Sequence, residues 1–88
     1  MDKSLYVYLK LIDAGFSAEV FNNGKQYNVR DKNGIIQSFY TSGTIVAHDA
    51  NNKIYSIREK TVVDFINLLK LMEELLHTRH FHEYLHRQ

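Results

Sequence analysis

The chain has no cysteine, no proline and no tryptophan among its 88 residues. Without cysteine there is no disulfide framework and no thiolate chemistry, a composition that suits a reducing compartment. Long apolar runs are also missing. In the opening segment MDKSLYVYLKLIDAG a single lysine precedes the apolar stretch, and polar residues interrupt it. Neither a signal peptide nor a spanning helix can be read there, so no membrane partner and a cytoplasmic location are expected. Nor is there an excess of one charge. Eleven basic and ten acidic residues leave a formal charge of +1. No strong field draws the whole chain onto nucleic acid or membrane, and an acidic mimic of nucleic acid is equally disfavoured.

What is present fits one α+β domain spanning residues 1–88. A chain of this length buries about 60–65% of its unfolded surface, enough for one core. An apolar fraction of 44% excludes wholesale disorder. Asn, Lys, Ile and Tyr are abundant, and their codons are A/T-rich. That points to an A+T-rich genome or mobile element as the origin.

Leu5, Leu9 and Ile12, at i, i+4 and i+7 with Tyr8 beside them, predict the buried face of an N-terminal helix. Asp2 or Ser4 can cap it, and Gly15 can end it in the left-handed conformation, which would bring Phe16 back onto Leu11. Turn signals then recur every eight to ten residues: Asn23-Gly24, read as a two-residue hairpin turn, Asp31-Lys32-Asn33-Gly34, Ser42-Gly43 and Ala50-Asn51-Asn52. They predict an antiparallel meander of four or five short strands near 17–22, 25–30, 35–41, 44–49 and 53–58. The second strand alternates, with Tyr27 and Val29 on one face and Gln26, Asn28 and Arg30 on the other. Later strands divide their apolar residues: Ile35, Phe39, Ile45 and Ala47 against Ile36, Tyr40 and Val46. Ile54, Tyr55 and Ile57 divide likewise, so the sheet is expected to carry apolar surface on both faces.

A long C-terminal helix starts at Thr61, where Thr61-Val62-Val63-Asp64 resembles a capping box. Val62, Phe65, Ile66, Leu69, Met72 and Leu76 form its main stripe. Leu68, Leu71 and Leu75 form a second strip, surplus to contact with the sheet. Phe81, Tyr84 and Leu85 fall off the main stripe, which predicts a bent or separate helical tail. No linker and no internal repeat stands out.

No motif for catalysis rises above these structural patterns. His77, His80, His82 and His86 crowd the C-terminus, and His82 and His86 at i, i+4 could share a metal beside Glu83. No third ligand is specified, Arg79 and Arg87 lie alongside, and a basic helix end explains the cluster. His48-Asp49 are strand neighbours and so face opposite ways. Ser38, Ser42 and Ser56 lie on nearby strands, with nothing to place one beside His48. Glu59, Glu73 and Glu74 make no acid pair across a cleft. The glycines belong to turns and form no phosphate-binding loop. Neither enzyme activity, cofactor nor metal is expected.

Two binding readings follow. In one, Tyr27, Tyr40 and Tyr55 stack bases on the sheet, with Lys25, Arg30, Lys32, Lys53, Arg58 and Lys60 around them. The order of elements superficially resembles a double-stranded-RNA-binding domain, but the second helix opens VVDFINLLK and lacks the lysines such domains use. In the other, surplus apolar and aromatic residues bind another protein or a second copy. The candidates are Tyr40, Tyr55, Leu68, Leu71, Leu75, Phe81 and Tyr84. Size, balanced charge and composition resemble the small accessory proteins of phages and mobile elements, among them anti-CRISPR inhibitors. That architectural likeness implies a non-enzymatic regulator or inhibitor acting by stoichiometric binding, and it assigns no residue a role.

Overall fold

The computed structural model describes residues 3–75. Helix α1 (Lys3–Asp13) leads into five strands and helix α2 (Val62–Leu75). The strands are β1 (Ala18–Phe21), β2 (Gln26–Arg30), β3 (Ile36–Tyr40), β4 (Thr44–His48) and β5 (Ile54–Ile57). They form one antiparallel sheet in the order β1-β2-β3-β4-β5, the meander expected from the turn signals.

Both helices pack on one face of the sheet. Tyr27, Val29, Phe39, Ile45, Ala47 and Ile57 meet Val7 and Leu11 of α1 and Val62, Phe65, Ile66, Leu68, Leu69 and Met72 of α2 in a single core. Phe39 and Phe65 stack with ring centroids 5.6 Å apart, which seats α2 over the centre of the sheet. The capping box at the start of α2 forms: the Asp64 N–H donates to Thr61 Oγ1 at 3.2 Å, and the Thr61 N–H donates to Asp64 Oδ2 at 2.8 Å.

Helix α1 forms where its periodicity predicts, but it turns another face inward. Val7 and Leu11 are buried, whereas Leu5, Leu9 and Ile12 are 43–50% exposed. The small residues Ser4 and Ala14 flank the buried pair and allow close approach to the sheet. Tyr27 Oη donates to the Ser4 carbonyl at 2.6 Å, and a Cβ added to Gly24 would sit 2.6 Å from Ser4 Cβ. That contact holds α1 against the β1–β2 hairpin and leaves the bulkier stripe outside.

The first hairpin turn is longer than a two-residue type I′ turn. Phe21 and Gln26 are its last pair, and Asn22, Asn23 and Gly24 all take positive φ (54°, 56° and 84°). Asn tolerates that region better than other non-glycine residues, which explains the Asn-Asn-Gly run.

The β2–β3 and β4–β5 loops are built alike, a repeat not evident from sequence alone. Asp31 Oδ1 accepts the N–H groups of Asn33 and Ile35, both at 2.9 Å, and Asp49 Oδ1 accepts those of Asn51 and Lys53 at 2.8 and 3.0 Å. Gly34 and Asn52 occupy the same left-handed position, with φ of 77° and 63°. An aspartate that caps its own turn and one residue tolerant of positive φ suffice, so the loops share little else.

Candidate binding surface

Because side chains alternate along a strand, the register defines the face the helices leave open. Phe21, Gln26, Tyr40 and Thr44 form one row across it. Glu19, Asn28, Ser38, Val46 and Ser56 form the next. Arg30 pairs with Ile36, and His48 with Ile54, along a third. The expected second apolar face, with Ile36, Tyr40 and Val46, is therefore real, and Phe21 and Ile54 extend it. Ile54 is the most exposed large apolar residue described, at 62%.

A polar network holds the middle of this face. Asn22 Nδ2 donates to Gln26 Oε1 at 2.7 Å, and Gln26 Nε2 donates to Asn28 Oδ1 at 3.1 Å. Ser38 Oγ also donates to Asn28 Oδ1, at 2.8 Å. These amides are pre-positioned, which lowers the entropy cost of meeting a partner. At the rim, Arg30 donates to the Gly34 carbonyl at 3.1 Å and lies 4.0 Å from Glu19, an exposed pair worth little by itself.

One side chain on the helix side shapes this face. Backbone pairing of β3 with β4 covers Tyr40–Thr44, Phe39–Ile45 and Ser38–Val46. Beyond it the fully buried amide of Gln37 substitutes for the ladder, donating to the His48 carbonyl at 2.8 Å and accepting from the His48 N–H at 2.6 Å. Gln37 also donates to Asp31 Oδ2 at 3.2 Å. His48 is thus held on the open face next to Ile54. Its Nδ1 is enclosed and has no hydrogen-bond partner among the described residues.

No nucleophile–base pair assembles from the residues considered. Asp49 spends its carboxylate on its own loop and on Tyr55, whose hydroxyl lies 3.4 Å from Oδ2. Ser38 donates to Asn28 and not to His48. Partial burial, then the negative charge of Asp49 and the hydrogen bond to it, push the Tyr55 hydroxyl above its ordinary pKa.

The three tyrosines proposed as a stacking platform do not share a face. Tyr27 is in the core, and Tyr40 is half-buried on the open face. Tyr55 is paired with Ala47 on the helix side, with Lys53 Nζ 5.4 Å from its ring centroid. The cause is strand parity, which the sequence spacing across three turns did not reveal.

Of the remaining candidate residues, Leu68 is 2% exposed and belongs to the single core beneath α2. Leu71 is half-buried. The side chain of Leu75, together with Leu76, Phe81, Tyr84, Leu85 and the four C-terminal histidines, lies outside the described residues. The exposed surface overlooked in the sequence is Phe21 on the sheet and the outer stripe of α1. Phe21 sits at a strand end, where alternation is too short to read.

Comparison with protein-family models, curated proteins and solved structures yields no match. No helix among the described residues is long and apolar enough to cross a membrane.

Proposed function

We propose that this domain acts without chemistry, as a stoichiometric binder of another protein, and that the open face of the sheet is its binding surface. The reading extends to a regulator or inhibitor of the kind carried by phages and mobile elements, a class suggested by size and composition. One observation carries the proposal: both helices pack on the same side, leaving Phe21, Tyr40, Val46 and Ile54 around a pre-formed amide network. Apolar and aromatic groups interleaved with oriented hydrogen-bonding groups are what a protein interface uses. The nucleic-acid alternative would have to rely on Phe21 and Tyr40 alone, since Tyr27 is buried and Tyr55 lies on the helix side.

Affinity capture with the wild type and with the Tyr40→Ser/Ile54→Ser variant tests the proposal. One dominant protein retained by the first and lost by the second supports it. Retention unchanged by the substitutions would refute the assignment of the surface. Fluorescence anisotropy with a single-stranded oligonucleotide at low salt separates the alternative. Salt-sensitive binding weakened by Tyr40→Ala would replace the protein partner with nucleic acid.

A further inference from the structure

Among the described residues the sheet has two free edges, and they differ in chemistry. Strands β1 and β5 are each four residues long, so length does not distinguish them. Lys53 and Arg58 bracket β5, and bracketing charges of this sort discourage edge-to-edge pairing. Strand β1, Ala-Glu-Val-Phe, has only Glu19, which points to the open face toward Arg30. Val20 and Phe21 of this edge are 47% and 43% exposed.

The side of α1 next to β1 is apolar as well. Ser4 faces the β1–β2 hairpin through Gly24 and Tyr27, while Tyr6 lines a cleft with Val62 and Val63 of α2 on the opposite flank. Tyr8 and Ile12 follow Ser4 at i+4 and i+8, so they lie on the β1 side, with Leu5 next to them. Lys10 and Asp13 fall outside this arc. Val20 lies on the helix side of β1, opposite Tyr27, which joins the arc to the strand edge.

We propose that the β1 edge and the adjoining side of α1 bind a second copy of this chain, β1 pairing antiparallel with its own counterpart about a two-fold axis normal to the sheet. The N–H and C=O groups of an edge are a template for another strand, and an antiparallel pairing of identical strands is self-complementary. Leu5, Tyr8, Leu9, Ile12 and Val20 are 38–50% exposed, on the order of 400 Å² of side chain together. That is about half of the roughly 800 Å² per partner of a standard interface, and with the edge backbone of β1 it suits a weak, concentration-dependent dimer. The helices α1 would lie side by side above a ten-stranded sheet, and the two open faces would become one continuous surface. The inference uses a surface different from the open face, so either can fail alone.

Sedimentation equilibrium from micromolar to near-millimolar concentration should show a monomer–dimer equilibrium. Val20→Lys and Tyr8→Asp should each weaken it at least about tenfold. Circular dichroism should show both variants folded. Hydrogen exchange on the wild type provides a check that needs no variant: amides of β1 should exchange more slowly as concentration rises. A wild type that stays monomeric overturns the proposal. So does a dimer indifferent to both substitutions, or one lost on Ile54→Lys at the opposite edge.

Discussion

Gln37 grips His48 through both backbone groups, Nε2 donating to the carbonyl and Oε1 accepting the N–H, at 2.8 and 2.6 Å. A side-chain amide here does the work of a peptide group, in a position with no exposure to solvent. Gln37→Leu should therefore strand two backbone groups that water reaches poorly. The expected loss is about 2–4 kcal/mol, read from denaturant unfolding. A loss below about 0.5 kcal/mol would mean that the strands close up and restore the ladder.

Two glycines with similar backbone conformations should respond differently to alanine. Gly24 has φ of 84° and a Cβ position 2.6 Å from Ser4 Cβ, while Gly34 has φ of 77° and open space around it. Gly34→Ala should cost about 1 kcal/mol, from the left-handed conformation alone. Gly24→Ala should cost at least about 2 kcal/mol, because α1 must also lift from the hairpin. Equal losses in the two variants would show that the Ser4 contact yields without cost.

The capping box of α2 should behave as a unit. Thr61→Ala and Asp64→Ala are each expected to destabilise by about 1 kcal/mol. Because the two residues satisfy each other reciprocally, the double variant should lose less than the sum. Strict additivity in thermal or denaturant unfolding would argue that they act independently.

Stability should fall at high pH through Tyr55. Its folded pKa is raised above a tyrosine's ordinary value, first by partial burial and then by Asp49. The unfolded chain therefore loses this proton first. The contribution is fully present below the unfolded pKa and is lost as pH rises through the folded one. Tyr55→Phe should flatten the decline in stability above about pH 10. A decline identical to that of the wild type would assign it to other groups.

Much of the architecture follows from local pattern. Gly15, Asn23-Gly24, Asp31 through Gly34, Ser42-Gly43 and Asn51-Asn52 mark the chain reversals because few other residues accept their backbone angles. Between them the alternation of Tyr27 and Val29 with Gln26, Asn28 and Arg30 predicts a half-buried strand. The apolar residues of β3 and β4 predict a sheet with two usable faces. Each of these signals lies within a few residues, and the physics behind it is equally local.

What tertiary structure alone decided is which of several adequate surfaces meets which. Helix α1 is apolar on both sides, so periodicity could not choose between Leu5–Leu9–Ile12 and Val7–Leu11. The small flanks of the latter and the Tyr27 bond to Ser4 made the choice. The strip of Leu68 and Leu71 looked surplus on the wheel, yet Leu68 is in the core and Leu71 is half-buried. Tyr27, Tyr40 and Tyr55 look equivalent along the chain, yet register sends one to the core, one to the open face and one to the helix side. Register and helix rotation depend on contacts between residues distant in sequence, and a residue shifted by one place on a strand changes faces altogether. A single sequence specifies these contacts only through the packing of the whole, and that is why the full membership of the open face and the bare β1 edge became visible only in three dimensions.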